Sequence, residues 1–237
     1  AVDVADSAAL RALEQAVTAA PYVAVLAPDG LDTLTLCDGK ACYALSWEQL
    51  GDDYNAFLRL LFSDRVHKAG HNIKDLMRAL LAEGLPTDGF VFDTALAAYD
   101  LNPSSSDYTV SKLATNYLGL SVEDADAAAC AEALWHLRPV LAGELEKNGM
   151  ERLYREIEFP LCRVLYRMEN RGICIDREQL RQFGDMLSRR ISDCETLIFS
   201  YSGGEFNINS TRQLGELLFE KLGLPPVKKT KTGYSTN

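Results

Sequence analysis

The chain has 237 residues, of which 47% are hydrophobic and 24% charged, with a formal net charge of −10. This apolar content suffices for one large core or two smaller ones and excludes disorder as the state of most of the chain. No stretch approaches the roughly 20 consecutive apolar residues of a membrane span, and no basic flank precedes an apolar run near residue 1, so a soluble, cytoplasmic protein with no membrane partner is expected.

In chain order, Tyr22-Val23-Ala24-Val25-Leu26 is a continuous apolar run closed by Pro28-Asp29-Gly30. Leu34, Leu36 and Tyr43, Leu45 then lie on either side of the turn dipeptide Asp38-Gly39. The pattern predicts three short strands in an antiparallel meander over 22–45. A helix follows over 47–62, carried by Leu50, Phe57, Leu58 and Leu61, then a strand at 66–69, a helix at 73–83 ended by Gly84, and a strand at Phe90-Val91-Phe92. Strands that alternate with helices imply parallel pairing through right-handed crossovers, so the meander is expected to continue into a layered α/β sheet. Helices near 94–100, 109–118 and 122–147 complete it, the last entered through Ser121 with Asp124 as its N3 acid.

The composition changes at Gly149. Leu153, Ile157, Leu161, Val164, Leu165 and Met168 recur at helical spacing as far as Gly172, which predicts one long amphipathic helix kinked at Pro160. Asp176 with Gln179 offers a capping box for a second long helix that ends near Gly203-Gly204. Ser210 with Gln213 caps a third, which stops at Gly223 before Pro225-Pro226. Two domains are expected, an α/β domain over 1–149 and an all-helical segment over 150–237.

Six cysteines are scattered without a CxxC pair, so neither a zinc site nor a disulfide framework is indicated, and reduced cysteines in or near the core are expected. Cys37 and Cys42 flank the Asp38-Gly39 turn, but spacing alone does not make them partners. The charge is uneven. Residues 1–150 carry 10 Lys+Arg against 22 Asp+Glu, whereas 151–237 carry 14 against 12. Any grip on nucleic acid is therefore expected in the second part, because phosphate neutralisation dominates non-specific affinity.

Three groups of residues form a specific series. Ala69-Gly70-His71-Asn72-Ile73-Lys74 is followed by Phe92-Asp93-Thr94 and Ala97-Ala98-Tyr99-Asp100-Leu101-Asn102-Pro103; Glu158-Phe159-Pro160-Leu161 leads to Met168-Glu169-Asn170-Arg171-Gly172-Ile173-Cys174-Ile175-Asp176; and Gly204-Glu205-Phe206-Asn207-Ile208-Asn209-Ser210 opens the last helix. Together they resemble the family A DNA polymerases over about residues 20–237. The resemblance implies a ribonuclease H-like fold for 1–149, a mixed sheet flanked by helices that forms a 3′–5′ exonuclease-like domain. It implies for 150–237 the connecting helices and the start of the polymerase thumb.

A proofreading exonuclease of this kind needs convergent carboxylates that hold two metal ions on the scissile phosphate. Where the family has Asp-x-Glu on its first strand, alignment on Asp29-Gly30-Leu31-Asp32 puts Val25 and Ala27. The aspartate two positions after the lysine of Asn-x-Lys falls on Leu76, with Asp75 one residue earlier and turned by about 100° on a helix, towards solvent. In the third motif, Tyr-x-x-x-Asp, Asp124 matches the acidic end but Leu120 replaces the tyrosine. The domain is thus expected to be degenerate, with no catalytic residue and no metal ligand. Asp93 is expected as a helix N-cap and Asp124 as a first-turn acid, and no metal role is assigned to His71.

In the second part, the resemblance implies that Asn207, Asn209, Ser210, Lys228, Lys229, Lys231, Ser235 and Thr236 meet the phosphate backbone of a primer–template duplex without reading bases. The same residues have local alternatives, Ser210 as a helix cap and Asn207 and Asn209 in turns. The parent would be a DNA-directed polymerase using magnesium in replication and repair, with the palm and fingers as further partners of this piece, which needs no cofactor itself. Two alternatives stay open: an active exonuclease with relocated ligands, and a non-catalytic interaction module that makes no DNA contact.

Overall fold

The computed structural model describes residues 1–28 and 30–226, with the backbone at 229–230 and 233–234. It divides into two compact units, Ala1–Gly172 and Ile173–Asn237. The change of composition at Gly149 is therefore not where packing divides the chain. The helix that ends at Arg171 packs with the first unit.

Two elements open the first unit ahead of the expected meander, strand β1 (Val2–Asp3) and helix α1 (Ser7–Ala19). The signal for α1 lies in the sequence: the Asp6 carboxylate accepts from the N–H groups of Ala8 and Ala9, and Leu10, Leu13 and Val17 recur on its buried face. β1 has no such signal, because two residues become a strand only through a parallel pairing, Val2 with Tyr43.

The meander is as expected: β2 (Val23–Leu26), β3 (Thr33–Cys37) and β4 (Cys42–Ser46) pair antiparallel in sequence. β5 (Lys68–Gly70) then lies parallel to β2, and β6 (Phe90–Asp93) parallel to β5. Among the described residues this makes a mixed six-stranded sheet in the order β1-β4-β3-β2-β5-β6, so the α/β class holds.

The expected helix over 47–62 is two, α2 (Trp47–Leu50) and α3 (Asp52–Leu61). Gly51 separates them with φ 54 and ψ −129, a conformation that an L side chain rarely adopts. The next helices are α4 (Ile73–Ala82), α5 (Thr94–Leu101) and α6 (Val110–Leu113), the last passing into a π-helical turn over Ala114–Leu118. α7 (Ala127–Lys147) starts later than expected: its cap is Asp126, which accepts from Ala128 and Ala129, rather than Ser121. The chain before it serves instead to carry Asp124 to Ser111. The long helix after Gly149 is built as α8 (Glu151–Leu153), a π-helical turn over Tyr154–Glu158, and α9 (Phe159–Arg171). Within that turn Phe159 N–H bonds the Tyr154 carbonyl, so the helical register shifts by one residue immediately before Pro160, which has no N–H to give.

Alternation along the strands separates two cores. Val23 and Val25 join a cluster with α1, α3 and α4, whereas Tyr22 and Ala24 join one with α5, α6 and α7. Helices therefore cover both faces of the sheet.

The second unit contains α10 (Arg177–Ser202), α11 (Thr211–Gly215) and a π-helical turn over Glu216–Lys221. Asp176 caps α10 by accepting from Glu178 and Gln179, as its position predicts. The segment is not all-helical, because β7 (Lys229–Thr230) and β8 (Gly233–Tyr234) pair antiparallel through their backbones. Among the described residues no helix is long and apolar enough to cross a membrane.

Candidate functional site

The first candidate is the region around the end of β2 and the start of α4, where the resemblance would place an exonuclease's metals. Val25 is 1% exposed in β2, and Ala27 and Leu76 pack against the same hydrophobic cluster. Three of the four positions where the resemblance calls for a carboxylate are thus filled by side chains of one apolar core, and only Asp124 keeps its acid. Asp75 points outward, as its position on α4 predicts, with its side chain 61% exposed and paired to Arg78 at 3.4 Å.

The acids that remain nearby are occupied. Asp93, 3% exposed at the end of β6, caps α5 through Ala95 and Leu96 as expected. It also receives N–H groups from the start of α4, Asn72 at 3.2 Å and Ile73 at 2.8 Å. Asn72 accommodates this by taking φ 54, the one positive φ of a non-glycine residue among those described. Burial pushes the Asp93 carboxyl up, while the Ile73 N–H, the His71 imidazole and the other N–H groups pull against it. The Tyr154 hydroxyl closes the node by accepting from Asp93 N–H at 2.7 Å and donating to the Asp93 carbonyl at 3.2 Å. Nothing in the sequence links Tyr154 to Asp93, because the two are far apart along the chain and only the packing of the π-helical turn brings them together.

Asp124 is not in a helical first turn, contrary to expectation. It lies ahead of α7 and accepts from the N–H and hydroxyl of Ser111, at 2.9 and 2.8 Å. Leu120, in the place of the family's tyrosine, is 48% exposed. His71 shares a hydrogen bond with Thr94 at 2.9 Å, and burial lowers its pKa against the pull of Asp93 and Asp124. Among the described residues no group of three or more His, Cys, Asp or Glu is placed to hold a metal ion.

The second candidate is the turn that leads into α11. The Asn207 side chain accepts from Asn209 N–H at 3.0 Å, and the Ser210 hydroxyl caps the helix by accepting from Gln213 N–H at 3.4 Å. The Gln213 side chain reaches back to Asn207 N–H at 2.9 Å rather than to the cap residue. The capping box is therefore extended over the whole Asn207–Ser210 turn. Asn207 and Asn209 are exposed. Beside the turn lies a depression of about 700 Å³ whose lining includes Glu205, Glu216, Glu220 and Lys221. Its acids disfavour a phosphate there, and Lys221 is engaged with the Ser202 carbonyl. Lys228, Lys231, Ser235 and Thr236, and the side chain of Lys229, lie outside the described residues.

Comparison with known proteins gives this geometry a context. Residues 177–237 match the model of DNA polymerase family A. The chain is 38% identical over 196 residues to DNA polymerase I of Bacillus subtilis, covering 74% of this chain and 22% of that one. It is 37% identical over 201 residues to DNA polymerase I of Geobacillus stearothermophilus (76% and 23%) and 31% over 221 residues to that of Mycobacterium tuberculosis (84% and 24%). Among solved structures it resembles the POL domain of Pol1 from M. smegmatis, in complex with DNA primer-template and dNTP, with a TM-score of 0.81 and 28% identity, over 100% of this chain and 44% of that one. The chain spans about a quarter of the length of these curated relatives. With relatives that match most of its residues, and a family model that matches its last part, the chain belongs to DNA polymerase family A.

Proposed function

We propose that this chain is the part of a DNA-directed DNA polymerase I that comprises a catalytically silent 3′–5′ exonuclease-like domain over 1–149 and, over 150–237, the connecting helices and base of the thumb. Without β1, five strands remain in the order β4-β3-β2-β5-β6 with helices on both faces, which supports the ribonuclease H-like reading. One observation carries the reading of silence: Val25, Ala27 and Leu76 place a single apolar cluster where a metal pair would need carboxylates. Asp93 and Asp124 do not compensate, because backbone and serine donors take up their oxygens. The residues present do not fit a two-metal centre, and no hydrolytic step is assigned to them.

The remaining role is structural and electrostatic. The exposed Asn207 and Asn209 precede α11, and the lysines at 228, 229 and 231 follow it, so this stretch supplies hydrogen-bond donors and positive charge for a duplex backbone. Exposed apolar residues along α10, among them Leu180, Phe183, Leu187 and Ile191, suit a helix that the rest of a larger polymerase covers. Magnesium would serve the nucleotidyl transfer of the parent enzyme, in its palm, and the cytoplasm is the compartment proposed for it, since the Bacillus, Geobacillus and Mycobacterium relatives are bacterial.

A titration of the 237-residue chain with a fluorescent primer–template duplex at two salt concentrations tests the DNA role. Binding is expected at low salt, with a logarithmic salt slope of about −3 or shallower from three lysines, and weaker binding when Lys228, Lys229 and Lys231 become alanine. Absence of binding at low salt, or no loss in the triple variant, refutes the DNA role and favours an interaction module.

A further inference from the structure

We propose that Cys37 and Cys42 are a redox-active pair, which a small disulfide such as glutathione disulfide converts into a cross-strand disulfide at the end of the β3–β4 hairpin. The two residues face each other in the antiparallel register. Backbone bonds from Trp47 N–H to the Asp32 carbonyl and from Asp38 N–H to the Ala41 carbonyl set the alternation along the ladder. Cys37 and Cys42 therefore form a non-hydrogen-bonded pair, in which Cα atoms lie about 4.5 Å apart and side chains are closest. That spacing falls within the roughly 4.4–6.8 Å that a disulfide spans.

As a directly opposed pair, the two side chains stand on the same face of the hairpin. The Cys42 thiol donates to the Ala128 carbonyl at 3.6 Å. The turn cannot splay easily, since Asp38 accepts from the N–H groups of Lys40 and Ala41, and Gly39, at φ +85, lies under the Trp135 ring. Access is one-sided: Cys37 is buried, Cys42 half-buried, and both line a depression of about 410 Å³ with Lys40, Glu132 and His136. Burial raises both thiols, Cys37 to about 12. Cys42, the more accessible of the two, is the attacking sulfur and Cys37 the resolving one.

In the first step the Cys42 thiolate attacks one sulfur of glutathione disulfide. A mixed disulfide forms and one glutathione thiolate leaves. In the second, the Cys37 thiolate attacks the Cys42 sulfur, the protein disulfide forms and the second glutathione thiolate leaves. The two protein thiols lose two protons and two electrons, and the oxidant takes up both as two molecules of glutathione.

The test incubates the full chain in glutathione buffers of graded redox ratio, alkylates free thiols and maps tryptic peptides by mass. Cleavage after Lys40 separates Cys37 from Cys42, so the two peptides stay together only if a disulfide joins them. The expected result is that linked pair under oxidising ratios, lost on reduction, while Cys42 in Cys37→Ser accumulates the mixed disulfide. The exposed Cys174 and Cys194 show that the oxidant is active. If they react while no ratio links Cys37 to Cys42, or if the two accumulate only separate glutathione adducts, the proposal is wrong. The mapping of the unsubstituted chain decides the matter even if a variant fails to fold.

Discussion

Asp93 accepts a hydrogen bond from Ile73 N–H at 2.8 Å, which ties the start of α4 to the residue that also caps α5. One buried carboxylate thus serves two helix N-termini, each of which presents N–H groups with no partner inside its own helix. In a domain whose relatives are polymerases, an acid at this place invites a metal reading, and the hydrogen bonds replace it with an architectural one.

Asp93→Ala should therefore be strongly destabilising. Loss of one N-cap costs about 0.5–2 kcal/mol, so loss of two in a buried setting should cost about 2–4 kcal/mol in urea unfolding. Asp93→Asn, which keeps one acceptor oxygen, should lose roughly half as much. A purely metal-binding Asp93 would leave the metal-free chain nearly as stable in both variants.

Restoring an acid at Val25 should not restore an exonuclease. Val25→Asp places a carboxylate in an apolar cluster at 1% exposure, which should cost about 3 kcal/mol or more in the same unfolding measurement. The unsubstituted chain with magnesium or manganese should leave 3′-labelled single-stranded DNA intact. Metal-dependent shortening that disappears in Asp93→Asn or Asp124→Asn would establish an active exonuclease with relocated ligands.

Lys68 should give stability a distinct pH dependence. It is 0% exposed in β5, and its ammonium donates to the carbonyls of Ser63 and Val66 beside the rings of Phe62 and Phe90. Burial brings its pKa from 10.5 down to about 7, against the pull of Asp88 and Asp64. For a base with a lowered folded pKa, the unfolded chain holds more protons between the two values, so this group's contribution to stability rises with pH from about 7 towards 10.5. The difference in unfolding free energy between the chain and Lys68→Met should grow from pH 7 to 8.5, by at most about 1.4 kcal/mol per pH unit. A difference that stays flat would mean that Lys68 keeps its proton inside the fold.

Gly39→Ala should damage the β3–β4 hairpin. The added Cβ would collide with the Trp135 ring, and φ +85 disfavours any L side chain. Left-handed strain of about 1–2 kcal/mol and overpacking of about 1–3 kcal/mol together should lower the unfolding free energy by about 3 kcal/mol. A loss below about 1 kcal/mol would show that the turn and Trp135 can move apart.

Much of the fold was legible because its signals are local. The apolar run 22–26, the Asp38-Gly39 turn and the 73–82 periodicity each act within a few residues, and each became the element it indicates. The misses have physical causes too. Ser121 and Asp126 are both acceptable caps, and the choice of Asp126 depended on Asp124 bonding Ser111, which lies on another helix. The break at Gly51 depended on a glycine conformation that helical periodicity does not report. At the second candidate site, Ser210 was legible as a cap, whereas the reach of Gln213 to Asn207 was not, since it spans the whole turn.

The sequence by itself determined the family, the α/β class and the apolar identities of Val25, Ala27 and Leu76, because motifs, periodicity and residue identity are all read locally. Only the tertiary structure decided what the surviving groups do. It showed that Asp93 is consumed by two helix N-termini, that Lys68 is enclosed by carbonyls and rings, and that Cys37 faces Cys42 across a ladder. Those outcomes depend on which distant segments meet. Burial and hydrogen-bond partners, not residue type, set the role of a charged or nucleophilic side chain.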